Sequence, residues 1–381
     1  MFLAAAAIIA VEPYVPKDDD EVLETLPRDL LSGRDELDTL RRQLSKDPRN
    51  VELAVNVASR YLQMGKSAGD PRFYGYAQAA LRPWWDAASA PPAILKLRAK
   101  LKERDHRYDE ALKDLKLALA QVPQDAQVCM ELANIYWVQG KYAEAQDACD
   151  RLRETAGTAA AIMGSAPILA VTGKAEQAYA SLTHILPIAR EQSPSAVQWI
   201  YTMQADISAA LGRVEQAEQH YRQVLAVDSS DNYVLRSYAD FLLDQGREEE
   251  VLALLRDYTS DTGILLPATI AAHRAGQRAL AAEWRTQLKS RFEENRLRGN
   301  PPHGRFEARY ELELMNDPKR ALAFAQDNWQ QQKQPADSRI LLEAAIAAKD
   351  SAVAREVLEF LEKHGTQHVV LERLAKQLER K

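Results

Sequence analysis

The sequence predicts an all-α solenoid of helix pairs stacked one on the next. Three observations carry that prediction. A short phrase keeps returning: Arg107-Tyr-Asp-Glu-Ala111, Gly140-Lys-Tyr-Ala-Glu-Ala145, Gly173-Lys-Ala-Glu-Gln-Ala178, Gly212-Arg-Val-Glu-Gln-Ala217 and Gly246-Arg-Glu-Glu-Glu-Val251. Its closing small residue recurs at steps of 34, 33, 39 and 34 residues, the spacing of a tandem helix–turn–helix unit. Ala and Leu dominate while Gly is held to 15 residues and aromatics to 7%, which suits packed helices and argues against a Gly-turned sheet protein. Finally, 381 residues exceed what one compact core usually serves, a limit that a stack escapes because each repeat packs only on its neighbours.

Taken in order, the chain opens on an apolar run from Met1 to Val11. About ten apolar residues are too few to span a bilayer. They fit the apolar stretch of a secretory signal, with Ile8 and Ala10 placed for a cut before Val11. No basic stretch precedes them, so an Ala-rich leader or a buried first helix turn is the alternative. We therefore read residues 1–10 as a signal-peptide remnant, which implies a periplasmic protein; a cytoplasmic one is the alternative. Residues 11–32 carry Pro13, Pro16, Pro27 and the run Lys17-Asp-Asp-Asp-Glu21, which oppose helix formation. They read as an extended acidic lead-in.

Helix pairs follow. Irregular repeats occupy 33–90: a helix over Asp35–Ser45, a second over Val51–Met64 ended by Gly65, and a third over Arg72–Trp85. Regular repeats occupy 91–260, with pairs at 92–104/108–121, 126–138/142–154, 159–171/175–190, 196–210/214–227 and 232–244/248–258. Each inner turn holds a Gly or a polar pair, and Gly at such a position takes the left-handed cap cheaply and faces solvent. Degenerate repeats occupy 261–366, interrupted by the loop Arg298–Gly304. A last amphipathic helix, 367–381, places Val370, Leu371, Leu374 and Leu378 on one side and caps the stack.

These repeats resemble the tetratricopeptide repeat (TPR) family, over roughly residues 35–365. With Ala126 as position 1, Leu132, Tyr136, Ala133 and Ala145 match the family's preferred positions 7, 11, 8 and 20, while Cys129, Cys149 and Leu152 depart at 4, 24 and 27. The preceding repeat supplies Leu95, Ala99, Ala111, Leu115, Ala118 and Pro123. The resemblance implies a right-handed TPR-like superhelical solenoid of about eight or nine helix pairs with a C-terminal capping helix. The lead-in Pro13-Tyr-Val-Pro-Lys-Asp18, followed by Val22-Leu23, also resembles exported proteobacterial TPR proteins of unsettled role.

The resemblance further implies that the first helix of each pair lines a concave groove. The residues it turns inward are Lys96, Lys100, Met130, Asn134, Trp137, Met163, Trp199, Thr202, Asp206, Tyr233, Arg236 and Asp240. That mixture suits an extended peptide or a partner helix. It also sets Cys129 opposite Cys149, so that a disulfide could form in an oxidising compartment.

Chemistry is sparse elsewhere. Nucleophile, phosphate-loop and metalloprotease motifs are absent. His364 and His368 are four apart, but Gly365 intervenes, so they read as solvated loop histidines. We expect no metal and no cofactor. A net charge of −6 gives no basic stripe for nucleic acid. The stretch 285–309 carries a mild excess of Arg and Lys, read as a solvated face or a docking site for an acidic partner. Trp84-Trp85 reads either as a contact site or as packing on the next repeat. The expected function is a non-enzymatic TPR adaptor for a protein or peptide in the bacterial cell envelope. A cytoplasmic scaffold or an auxiliary subunit of envelope polysaccharide export are the alternatives.

Overall fold

The computed structural model describes residues 34–68, 70, 72–297 and 304–379. The expected leader and lead-in, and residues 298–303 of the expected loop, lie outside the described residues. Among the described residues are nineteen α-helices, a single 3-10 turn and no strand. The described residues fall into two compact units, divided between Pro83 and Trp84.

The first unit holds α1 (Arg34–Lys46), α2 (Val51–Ala68) and α3 (Arg72–Ala80), around Leu37, Ala54, Val57, Ala58 and Ala77. Two boundaries differ from expectation. α2 runs through Gly65 instead of ending there. A Cβ at that position would lie 2.8 Å from the Tyr74 ring, so this glycine serves close helix packing rather than a cap. α3 stops at Ala80, and Arg82–Trp84 form the 3-10 turn, because Pro83 cannot donate to a continuing helix.

The second unit stacks α4 (Pro92–Arg104), α5 (Tyr108–Gln121), α6 (Ala126–Val138), α7 (Tyr142–Val171), α8 (Ala175–Gln192), α9 (Pro194–Ala210), α10 (Val214–Val227), α11 (Asn232–Asp244) and α12 (Glu248–Leu255). Then come α13 (Thr262–Arg274), α14 (Arg278–Leu297), α15 (Gly304–Glu313), α16 (Pro318–Trp329), α17 (Pro335–Ala348), α18 (Ser351–His364) and α19 (Val369–Glu379). Side-chain caps start many of them: Asp125, Ser193, Asp231, Asp261, Asp317 and Asp350 each accept from backbone N–H groups of the first turn, satisfying donors that a helix start leaves orphaned. The small residues of the recurring phrase and their partners, Ala99, Ala111, Ala133, Ala145, Ala205 and Ala217, are all buried, which lets paired helices approach closely.

α7 is long and apolar enough, by length and composition, to cross a membrane. Gly157 breaks it, with φ 85° and ψ 179°, and Ala145, Cys149, Leu152, Ala161 and Ala166 are buried along its two halves. It is two repeat helices joined across a kink, where the sequence predicts a turn between 154 and 159.

The predicted left-handed glycines are present: Gly140, Gly173, Gly212, Gly246 and Gly276 all have φ between +69° and +74°. Gly173, Gly212, Gly246 and Gly276 are exposed as expected and Gly140 is half-buried, but at three of these inner turns the C-terminal elements also come close. The Lys333 N–H donates to the Val138 carbonyl at 2.7 Å, and Lys333 and Phe360 crowd Gly140. The Thr366 hydroxyl donates to the Val171 carbonyl at 2.8 Å, with the Gly365 carbonyl over Gly173. A Cβ added at Gly212 would lie 3.0 Å from Val369 Cγ1. The segment 332–370 therefore runs along the inner turns of the regular repeats, so the last elements pack on earlier repeats as well as on one another.

Candidate partner-binding groove

The first helices of successive pairs are linked side by side. Lys96 Nζ donates to Asp125 at 3.0 Å and to Gln127 at 3.2 Å, Asn134 Nδ2 donates to Glu103 at 2.9 Å, and Trp137 Nε1 donates to the Pro167 carbonyl at 3.1 Å. Further on, the Tyr233 hydroxyl donates to Asp206 at 2.7 Å. Each link joins one helix of the row to the next, so the inward positions form a continuous face. Within it Lys100 and Asn134 are exposed, and Tyr233 is 50% exposed although it is a large aromatic. Met163 and Trp199 instead pack against the core around Ile200 and Leu182, and the Thr202 hydroxyl is spent on the Gln198 carbonyl. These three support the face more than they present it.

The face carries carboxylates in costly surroundings. Asp206 accepts from Tyr233 and, at 2.8 Å, from Tyr221. Burial pushes its pKa up to about 6, against the opposing pull of the two phenols. Glu103 is raised by burial and then by the neighbouring charge of Glu131, and Glu131 is itself raised by burial. Arg236 is the counterpart: burial lowers its pKa, and its guanidinium lies 5.9 Å from the centre of the Phe306 ring.

Phe306 belongs to α15, so the C-terminal elements also build this face. Arg309 of α15 donates to Asp240 at 2.5 Å and to Glu313 at 2.8 Å, and Glu313 accepts from Arg274 at 2.6 Å. Arg339 of α17 grips both oxygens of Asp244, at 2.6 and 2.7 Å. Asp240 is therefore committed to an ion pair within the chain, although 39% of its side chain stays exposed. Such pairings over long sequence separations leave no period in the sequence.

The basic stretch 285–309 is largely taken up in the same way. Arg291 donates to the carbonyls of Thr259 and Ser260, Arg296 to the buried Glu307, and Arg305 to Gln334 and Asp337; Arg298 lies outside the described residues. The histidines depart from the solvated reading. His364 meets Tyr142 edge-on at 4.7 Å. His368 is lowered to about 4 by burial and then by Arg339. Among the described residues no group of three or more His, Cys, Asp or Glu is arranged to hold a metal. Cys129 and Cys149 are both buried and unbridged, so the anticipated disulfide is not formed in this structure.

Sequence reasoning missed two further features. Asp114, 1% exposed, accepts from Arg98 Nε and Lys102 Nζ, each at 2.8 Å, while Arg98 Nη1 donates to the carbonyls of Trp84 and Ala87. Lys102 also lies 5.9 Å from the Trp85 ring. The tryptophan pair is thus packed on the next repeat. In the first unit, an open hollow of about 590 Å³ is lined by Arg41, Tyr61, Tyr76, Arg82 and Pro83.

Tetratricopeptide-repeat family models match residues 104–164 and 202–262. These stretches are tetratricopeptide repeats, in agreement with the helix pairs, small-residue positions and 34-residue steps found there. No curated protein matches it in sequence. Among solved structures, it is similar to the crystal structure of PilW, described as a widely conserved type IV pilus biogenesis factor, at 18% identity over 53% of this chain and 94% of that one, with a TM-score of 0.43. A tetratricopeptide repeat protein from Parabacteroides merdae matches at 12% identity over 75% of this chain and 98% of that one, with a TM-score of 0.40. The APC/C hetero-tetramer Cut9-Hcn1 matches at 12% identity over 86% of this chain and 59% of that one, with a TM-score of 0.47.

Proposed function

We propose that this chain is a non-catalytic adaptor that captures a protein segment in the groove between α4 and α11, and that it works in the bacterial cell envelope. The observation that carries the binding reading is the laterally linked row itself. It presents Lys100, Asn134 and Tyr233 at one face without burying them. An amide bonds a peptide backbone, and an exposed tyrosine held rigid by Asp206 supplies contact area at low entropic cost. The envelope location is supported by the apolar run Phe2–Val11 and is tested separately, by mass spectrometry of the mature N-terminus. An intact Met1 would remove the export reading.

The binding reading is tested by affinity capture with quantitative mass spectrometry, comparing the parent chain with an Asn134→Ala, Tyr233→Ala double variant. A specific partner should fall at least tenfold in the variant while helicity and melting stay within a few degrees. Equal capture by both proteins would remove the groove as the site.

A further inference from the structure

We propose that the hollow of the first unit is a seat for the chain's own acidic lead-in, residues 12–21, which lays Pro13 and Pro16 against Tyr61 and Tyr76 and sets its acids at Arg41 and Arg82. The inference is independent of the adaptor reading.

At about 590 Å³ the hollow is of the size of clefts that hold small ligands and short segments. Its wall is aromatic and proline-rich. The Tyr61 and Tyr76 rings stand 5.3 Å apart at 48°, and Pro48 and Pro83 line the hollow with them. Tyr61 is buried, while Tyr76 is 50% exposed. Aromatic walls of this kind receive proline segments in the extended polyproline conformation, which arrives already ordered. Residues 12–21 read Glu-Pro-Tyr-Val-Pro-Lys-Asp-Asp-Asp-Glu. Pro13 and Pro16 are three apart, and that conformation repeats every three residues, so both rings fall on one face. Four acids follow Lys17 directly. The rim is complementary in charge. Arg41 and Arg82 both line the hollow and both are exposed. Asp38 pairs with Arg41 at 3.2 Å, with both groups exposed; such a pair holds weakly, so Arg41 can turn to an arriving carboxylate. The tether is long enough. Twelve residues, 22–33, separate Glu21 from Arg34 at the start of α1, and extended they span up to about 40 Å. From Arg34 to Arg41 and Ser45, which line the hollow, α1 runs only about 10–17 Å. A short tether holds the segment at an effective concentration on the order of millimolar, so modest affinity fills the seat. A cut before Val11 leaves residues 12–21 on the chain, so the seat is filled in either form of the N-terminus.

The test is photocrosslinking in the full chain, with photoreactive benzoylphenylalanine in place of Tyr14. An equal mixture of isotopically heavy and unlabelled protein is irradiated, digested and read by mass spectrometry. Position 14 should be joined to peptides covering 41–48 or 76–83, with both halves of each adduct carrying the same label. The double variant Arg41→Glu, Arg82→Glu should lower the yield of that adduct about fivefold or more, and adding Asp18→Lys, Asp19→Lys and Asp20→Lys should restore most of it, because the charges then attract again. Tyr76→Ala should lower the yield without any change of charge, and circular dichroism melting of each variant guards against misfolding. The proposal is overturned if no adduct forms at 41–48 or 76–83, or if its yield is indifferent to both the arginine reversal and Tyr76→Ala. Adducts of mixed label would also overturn it, because a second copy would then fill the hollow in place of the chain's own segment.

Discussion

Two glycines with nearly the same backbone differ in what lies above them, and replacing each by alanine isolates the return of the C-terminal elements. Gly246 has φ +69° and a Cβ there would meet nothing within 4 Å; Gly173 has φ +74° and its Cβ would lie 3.0 Å from the Gly365 carbonyl oxygen. Gly246→Ala suffers only the left-handed backbone penalty, about 1 kcal/mol. Gly173→Ala suffers the same penalty and also presses on a backbone carbonyl, beside the bond from Thr366 to Val171. Overpacking of that kind costs a further ~1–3 kcal/mol, so the total is about 2–4 kcal/mol. Urea unfolding followed by far-UV circular dichroism measures both losses. Hydrogen exchange of peptides spanning 361–372 should quicken in Gly173→Ala and stay unchanged in Gly246→Ala. Equal destabilisation, with no change in exchange at 361–372, would refute the docking of this segment on the inner turns.

Other outcomes follow from the ionisable groups. Asp114→Asn removes the buried carboxylate bonded to both Arg98 and Lys102; it should cost about 3–5 kcal/mol in urea unfolding, because two buried cations lose their closest counter-charge, whereas Asp38→Asn at the exposed Arg41 pair should change stability by under about 1 kcal/mol. Asp206 has its folded pKa raised from 3.8 to about 6, so the folded state binds the extra proton and stability falls as pH rises through that window. Asp206→Asn should flatten the change in urea midpoint between pH 4 and pH 6, and an unchanged slope would show that Asp206 does not set it. Glu218 is the opposite case. Hydrogen bonding from Arg247 lowers it to about 2, so its contribution is complete above about pH 4.5 and is lost as pH falls towards 2. Arg247→Met should remove that acid limb of the stability profile.

What the sequence made legible follows a local rule. Helices α4 to α12 were readable because a buried face must recur every three or four residues and each turn needs a left-handed cap, and both marks are written in neighbouring positions. Gly65 misled because close packing against Tyr74 and helix termination both call for glycine. Trp84-Trp85 was ambiguous because its partners Arg98 and Lys102 sit in the following repeat. The inward residues were placed by repeat position, but their availability was not. Asp240 looks like a groove acid until Arg309 arrives from 69 residues away, and Asp244 is likewise taken by Arg339 from 95 residues away. The basic stretch 285–309 looked like surface charge for the same reason. Its partners Glu307 and Asp337 are nearly fully buried, and burial of an isolated carboxylate is not visible in composition.

The central claim is that this protein engages its partner through the row of first helices and not through its outer surface. Replacing Tyr233 with the photoreactive benzoylphenylalanine puts a crosslinker on an exposed aromatic of the groove, and replacing Ile188, 45% exposed on the second helix of its pair, puts one outside it. Irradiation in the presence of the captured partner should give a crosslinked adduct from position 233 and none from position 188. An adduct from position 188 alone would contradict the groove account.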